Sequence, residues 1–327
     1  MTESKPHASV LVAGSANVDF VIRAPHIPAP GETVLGRDLT MVAGGKGANQ
    51  AVTAARAGGA DTAMLVALGN DVFAPLLETS LTGAGITLHR VRSGAPTGAA
   101  LICVSDNAEN AITVAPGANM SLRPGDLPDL TGIDGLLLQL ETPLPTVIAY
   151  ARAAHAHGVR VILNASPAQL LPAELLAAID VLVVNEDELS AIGGAEGTIA
   201  EQLARLDVPC VVATLGARGA CARSDGQFYL QPAVAVTPVD TTAAGDTFCG
   251  VLAASLCAGE SLATGLSTAC AAAGLAATRM GAQSSIPTRA EVEAVPDRAD
   301  AETAALAGLA AYCGVADIGR EAAQDRI

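Results

Sequence analysis

The chain has 327 residues, enough for one large α/β domain or two smaller ones with substantial cores. Half of them are hydrophobic but only 2% are aromatic, so an aliphatic core of Ala, Val and Leu is expected. The 18 basic and 33 acidic residues give a net charge of -15 without any basic stripe, which argues against nucleic acid as a partner.

The first residues, MTESKPHA, contain no apolar h-region, so no signal peptide is expected. Ser9–Gly14 (SVLVAG) is predicted to be a short buried strand. The turn that follows leaves Asn17 and Asp19 near the strand's carboxyl end, the edge where open α/β sheets bind ligands. From Phe20 to Val42 apolar residues alternate around three prolines and Gly31 with no helical period, so short strands outside the main sheet are expected. Gly44-Gly45-Lys46-Gly47-Ala48-Asn49-Gln50 opens a helix that ends near Gly58-Gly59. Its glycines admit a ligand to the backbone, and Asn49 offers a donor and an acceptor. The spacing is not that of a Walker A loop. Lys46 is either part of this site or a solvated cation.

Thr62–Leu68 is predicted as strand, Asp71–Thr82 as helix and Ile86–Val91 as strand. Gly98–Ser105 and Ala111–Ala115 form an expected hairpin closed by Asp106-Asn107-Ala108-Glu109. After Pro116 the pattern changes to repeated strand–helix units. Gly135–Leu140, Val159–Asn164, Val181–Val184 and Val211–Thr214 are the strands, with a helix from Pro145 to His157 and strand segments continuing to Leu230. Polar groups recur just past their carboxyl ends: Gln139 to Pro143, Asn185 to Glu188, and Leu215 to Gly219. His155 and His157 are two apart and do not share a helix face, so no metal site is expected there.

TTAAGDTFCG, from Thr241 to Gly250, is where the chemistry is expected. Ala243, Ala244 and Gly245 allow close backbone approach, and Phe248, Val251, Leu252 and Leu256 then recur at helical spacing. A loop entering a helix N-terminus favours an anion. Asp246 at that place is either a general base or an ordinary first-turn acid. Cys249–Ala277 is poor in charge but broken by Gly259-Glu260-Ser261, so two buried helices are expected rather than a membrane span. Seven scattered cysteines without a C-x-x-C pair suggest reduced thiols in a cytoplasmic protein. Cys249 is either a packed helix residue or a reactive thiol. Thr288–Ile327 is predicted to be a peripheral extension or a partly disordered tail, with a helix from Ala301 to Tyr312 ending at Gly314.

Taken together, eight stretches in this order resemble the ribokinase-like (PfkB-type) sugar kinase family over about residues 9–287. They are GSANVD at 14–19, PGETV at 30–34, GGKGANQA at 44–51, QLETP at 139–143, NEDE at 185–188, TLGARG at 214–219, DTTAAGDTF at 240–248 and RMGAQSSIP at 279–287. The resemblance implies a three-layer α/β/α sandwich with a central, mostly parallel sheet and a small β-sheet lid from about 17–42 and 97–115. The kinase domain would run over 1–287, with 288–327 as an extension contributing stability rather than chemistry. The implied activity is ATP-dependent phosphorylation of D-ribose at O5. Deoxyribose, fructose, ketodeoxygluconate or a nucleoside are the alternatives within the family, and a non-catalytic sugar- or nucleotide-binding protein is the rival class.

The resemblance also implies residue roles. The backbone N–H groups of Ala243, Ala244 and Gly245 would form an anion hole, and Asp246 would accept the proton of the sugar hydroxyl. Asn17, Asp19, Gly45, Lys46, Asn49 and Glu141 would hold the sugar. The nucleotide would lie against Thr214, Leu215, Gly216, Ala217, Arg218 and Gly219, beside Cys270. Asn185 and Glu188 would hold Mg²⁺ and phosphates through water. K⁺ would be held by Asp240, Thr242, Ala276, Arg279, Gly281 and Ser285, unless Asp240 simply pairs with Arg279. A homodimer through packed lids is implied as well.

Overall fold

A computed structural model describes residues 8–106, 109–295 and 299–315. The first half of the chain forms β1 (Ser9–Ala13), β2 (Asn17–Arg23), β3 (Leu39–Gly44), α1 (Lys46–Arg56), β4 (Asp61–Leu68), α2 (Ala74–Gly83), β5 (Thr87–Arg92), β6 (Gly98–Val104) and β7 (Asn110–Ala115). Strand–helix units follow: β8 (Gly135–Leu138), α3 (Leu144–Ala156), β9 (Arg160–Asn164), α4 (Ala173–Leu176), β10 (Val181–Asn185), α5 (Glu186–Gly193), α6 (Ile199–Ala204) and β11 (Cys210–Thr214). The hairpin β12 (Gly219–Ser224) and β13 (Gln227–Pro232) leads to α7 (Ala244–Cys257), α8 (Leu262–Ala277), α9 (Arg289–Glu293) and α10 (Ala299–Cys313).

Nine strands make one sheet in the order β13-β12-β11-β10-β9-β8-β1-β4-β5. It is parallel apart from β12 and β13. Alternate residues of β1 enter opposite layers: Val10 and Val12 pack with α1, α2, α7 and α8, while Leu11 and Ala13 pack with α3 to α6. Both faces are thus covered, which is why these strands read as continuous apolar runs. Helix α7 is buried almost all round, between α1 and α8, so its lack of a polar face is a packing consequence. The expected pair of buried helices is α7 and α8, and among the described residues no helix is long and apolar enough to cross a membrane.

A second, four-stranded sheet has the order β3-β2-β6-β7 and stands off the main sheet as the expected lid. Phe20 on β2 meets Phe73 edge-on at 5.5 Å, anchoring the lid beside α2. The hairpin β6–β7 pairs through to Val104 and Asn110; Asn107 and Ala108 of its expected turn lie outside the described residues.

Several element ends shift by a residue or two from the sequence-based expectation, and two of these shifts have a clear cause. Helix α2 starts at Ala74 rather than Asp71, because the Asp71 carboxylate accepts hydrogen bonds from Phe73 N and Ala74 N and from both Thr97 donors. Asp71 therefore caps the helix and ties it to the start of the lid hairpin. Strand β8 stops at Leu138, two residues early, since Leu140 N turns away to bond Ser166 O. The expected C-terminal helix is α10, closed by Gly314 at φ +73°; residues 316–327 lie outside the described residues.

Candidate active site

Strand order reverses at β1, whose neighbours are β4 on one side and β8 on the other, so the two adjoining loops diverge and leave a crevice. Ser15 follows β1 and Glu141 follows β8; the Ser15 hydroxyl donates to Glu141 Oε2 at 2.5 Å, and Lys46 N–H donates to the same oxygen at 3.2 Å. Asn17 and Asp19 enter the crevice from β2 and are buried. A Cβ on Gly44 would come within 2.0 Å of Asp19 Oδ2, and one on Gly45 within 2.7 Å of Asn17 N. These glycines let the lid strand and the start of α1 close on one another, and Gly45 also takes φ +90°.

Asp246 sits in the first turn of α7, behind an N-cap at Ala243 whose φ of +60° is left-handed. A non-glycine residue there costs on the order of 1–2 kcal/mol, a local strain of the kind that gathers at functional loops. The Asp246 carboxylate is buried and held from both sides by amides of α1. Asn49 Nδ2 donates to Oδ2 and Gln50 Nε2 to Oδ1, each at 2.9 Å. Hydrogen bonds to a charged acceptor contribute about 1.5–3 kcal/mol each, so the carboxylate is fixed in orientation. Behind it, Gln139 Nε2 donates to Gln50 Oε1 at 2.6 Å, and Gln50 Nε2 also reaches Asn164 Oδ1 at 3.0 Å. Two acceptors in this network, Asn49 Oδ1 and Gln139 Oε1, are buried without a partner. Buried acceptors of this kind ask for a donor from a ligand or water, and sugar hydroxyls are such donors.

The electrostatics are those of crowded acids around one cation. Burial, together with the charges of Glu141 and Asp246, raises the Asp19 carboxyl from 3.8 to about 7. Burial opposes the charge on Lys46, but Asp246, Glu141, Glu188 and Cys249 around it more than offset that, and its pKa is raised. Lys46 is half-buried among these acids. Cys249 is the packed residue of the two readings above: complete burial, then the nearby Asp246 and Glu188, push its thiol well above the ordinary range.

Further along the same sheet edge, Asn185 and Glu188 cap α5 reciprocally. Asn185 Oδ1 accepts from Glu188 N at 2.7 Å and Glu188 Oε2 accepts from Asn185 N at 2.9 Å. After β11, residues Gly216–Arg218 make a single 3₁₀ turn, and Gly219 leaves it at φ +115°, where a Cβ would strike Gln231 O at 2.0 Å. Arg218 is exposed, with Glu186 at 3.5 Å and the Tyr312 ring 4.0 Å beneath its guanidinium. Cys270 does not line an open surface; it is buried against Gln231 O of β13, and burial pushes its thiol up to about 12. Next to it on α8, a Cβ on Gly274 would make ordinary contact with Val234 and Val236, so this glycine borders an apolar edge after β13.

Asp240 joins the loops before α7 and after α8. Its Oδ1 accepts from Thr242 N and its Oδ2 from Gly281 N, each at 2.9 Å, while Val239 N and Asp240 N both bond Ala277 O. Burial alone would raise this carboxyl; the bonds from Thr242 and Gly281 more than offset that and hold it below its ordinary value. Arg279 pairs instead with Glu291, at 2.6 Å. The alternative in which Asp240 simply pairs with Arg279 is not what the structure has. Asp240 is thus a partly buried carboxylate, held below its ordinary pKa, that ties the loop before α7 to the loop after α8; an acidic oxygen of this kind is chemically suited to a cation.

A profile of the pfkB family of carbohydrate kinases matches residues 7–289. The chain belongs to the pfkB family of carbohydrate kinases. It is 38% identical over 299 residues to a ribokinase of Haemophilus influenzae, covering 86% of this chain and 96% of that one. The crystal structure of ribokinase from Thermotoga maritima superposes with a TM-score of 0.81 at 36% identity, covering 88% of this chain and 98% of the other. Arabidopsis thaliana ribokinase, solved with ribose and ATP, superposes at 0.80 with 34% identity, covering 88% and 98%. The pfkB fold, a mostly parallel sheet between helices with a small lid, is thus the fold expected from the motifs.

Several of the motifs that carry the pfkB resemblance meet past the carboxyl ends of the main sheet's strands, as Glu141, Lys46 and the Asn49–Asp246 pair show, but three residues joined to them lay outside the motif-based assignment. Gln50 and Gln139 stand inside quoted motifs, yet nothing local says that their amides meet each other and Asp246. Asn119 holds Asn17: its Nδ2 donates to Asn17 Oδ1 at 2.8 Å and its Oδ1 accepts from Ala16 N at 3.0 Å. Asn119 lies in a 3₁₀ turn after β7 and outside every quoted motif, so the sequence offered no signal for it.

Proposed function

We propose that this protein is an ATP-dependent ribokinase that transfers the γ-phosphoryl group of ATP to O5 of D-ribose. The observation that carries the proposal is Asp246, clamped by Asn49 and Gln50 at the first turn of α7. A carboxylate so fixed, beside helix-start N–H groups, suits proton abstraction next to a phosphoryl group. In this reading Asp246 accepts the proton of the 5-hydroxyl as the O5–phosphorus bond forms and the bond from phosphorus to the ADP oxygen breaks. The N–H groups of Ala243, Ala244 and Gly245 stabilise the charge that develops on the phosphoryl oxygens. Ala244 N–H here reaches Thr241 O at 3.2 Å, so it must turn from that bond to the anion. Asn17, Asp19, Gly45, Lys46, Asn49 and Glu141 hold the sugar, and Lys46 also offsets the acids around the transferred group. The nucleotide lies along Thr214–Gly219, with its base toward α8 near Cys270.

Asn185 and Glu188 suit Mg²⁺ held through water, since their capping box presents oxygen donors and no group of three His, Cys, Asp or Glu among the described residues forms a cage of its own. Mg²⁺ there would neutralise phosphate charge. K⁺ would be held by Asp240, Thr242, Ala276, Arg279, Gly281 and Ser285, largely through carbonyls, and would steady the loop before α7.

A homodimer formed through the lids belongs to the same proposal. By register, Ile22, Leu39, Met41 and Leu101 share one lid face, and each is exposed. A single small sheet with one exposed apolar face needs covering. The free cysteines support a cytoplasmic location. Residues 1–287 are taken as the kinase domain and 288–327 as an extension. Coupled-assay turnover with ribose, deoxyribose, fructose and adenosine tests the substrate assignment: ribose is expected to have the highest kcat/KM, and a higher value for any other compound refutes it.

A further inference from the structure

Helix α10 lies beyond residues 7–289, the span of the family match, yet it ends against two of the family's motifs. Val292 of α9 packs in one layer of the sandwich, whereas Leu309 and Cys313 pack in the other. The extension therefore changes faces and docks on β13 and α6. Its end is well seated. Cys313 is fully buried in the same apolar cluster as Cys221 of β12. Gly314 turns at φ +73° directly against Thr198, where a Cβ would come within 2.5 Å of the threonine methyl.

That seating delivers Tyr312 to the exposed edge beside the nucleotide loop. Its ring lies 4.0 Å under the Arg218 guanidinium, and its hydroxyl donates to Glu186 Oε2 at 2.7 Å. Glu186 Oε1 in turn lies 3.5 Å from Arg218. One side chain thus bridges the TLGARG loop and the NEDE stretch, which are adjacent in the sheet but separate in sequence. Arginine held over an aromatic face keeps its donors free at the edge of the guanidinium while losing the rotamer freedom that binding would otherwise remove. In a chain with net charge -15 a polyanion must be met by cations already in place.

We propose that Tyr312 is a positioning residue for the nucleotide: it holds Arg218 beside Glu186, so that the guanidinium is ordered before ATP arrives. This rests on the reading of Thr214–Gly219 as the nucleotide loop. The test is equilibrium ATP titration and steady-state kinetics on the full chain. Tyr312→Ala is expected to weaken ATP binding about two- to fivefold, the range of one exposed cation–π contact. KM for ATP should rise equally, with kcat, KM for the sugar and Tm close to wild type. Tyr312→Phe, which keeps the ring and loses only the hydroxyl, should restore most of the affinity. Arg218→Ala should weaken ATP binding by itself, and adding Tyr312→Ala to it should change nothing further. Wild-type or tighter ATP binding in Tyr312→Ala, with Arg218→Ala impaired, would overturn the positioning role and leave the loop assignment standing. No effect of Arg218→Ala would overturn both. A fall in Tm with equal losses for ATP and sugar would show α10 to be structural support only.

Discussion

The two halves of the crevice are built differently. Around Asp246, where the proposal puts the sugar, side chains far apart in sequence meet in a buried network: Gln139 to Gln50 and Gln50 to Asp246 are separated by 89 and 196 residues. Around α5 and the loop after β11, where the proposal puts the nucleotide, the contacts are exposed or capped locally, as in the Asn185–Glu188 box and the Arg218–Glu186–Tyr312 group. The difference follows from what each half has to do. A proton transfer requires heavy atoms placed to a few tenths of an ångström, which burial and convergent amides provide. A flexible polyphosphate is held by charge and backbone, which tolerate exposure. Substitutions in the buried half should therefore affect turnover, and those in the exposed half should affect nucleotide affinity.

The largest effect is expected at Asp246. Asp246→Asn keeps the hydrogen-bonding shape but cannot take up the hydroxyl proton, so kcat should fall by about 10²–10⁴. Ribose and ATP affinities, read by titration, should remain near wild type. An unchanged kcat would place the base elsewhere.

A middle-sized effect is expected from the cation proposed to bind beside Asp240. Asp240 links the loop entering α7 to the turn at Gly281, so a cation there would steady the N–H groups beside Asp246. Exchanging K⁺ for a tetraalkylammonium ion should lower kcat about tenfold, with Na⁺ restoring little. Undiminished kcat and KM in potassium-free buffer would remove the cation from the account.

The smallest expected effect concerns stability, and it sharpens what burial costs the sugar end. Asp19 is raised from 3.8 to about 7 by its burial and the nearby acids. Between roughly pH 4 and 7 the folded chain keeps a proton that the unfolded chain has released. The contribution of this group is full below pH 4 and is lost as pH rises through 7. Asp19→Asn should therefore be the more thermostable protein above pH 7, on the order of 5 °C in Tm, while losing ribose affinity. The gap should close below pH 4, and thermal melts across pH read it directly. A constant difference in Tm would assign the shift to other groups.

Much of this was legible in the residues. Asn17, Asp19, Asn49, Glu141 and Asp246 lie next to strand ends or helix starts, and the parallel sheet gathers those ends on one edge. Local chemistry marked these positions, and the motif resemblance implied that they form one site. Two kinds of feature were not legible. Gln50 and Gln139 pair across the molecule, and no local periodicity encodes which buried amide finds which. Tyr312 belongs to a helix whose only sequence signals were Ala-rich spacing and a terminal glycine. Where that helix docks depends on an apolar face reaching Cys221 and Phe228 in the folded sheet. The start of α2 was misplaced for a related reason: Asp71 is held by Thr97, 26 residues away.

The central claim is transfer to O5 of ribose, and product identity tests it most directly. The enzyme, incubated with D-ribose and Mg·ATP, should give one equivalent of ADP and a sugar phosphate. In proton–phosphorus correlation spectra its phosphorus should couple to the two protons on C5. Coupling to a proton at another carbon, or ADP formed with inorganic phosphate and no sugar ester, would contradict it.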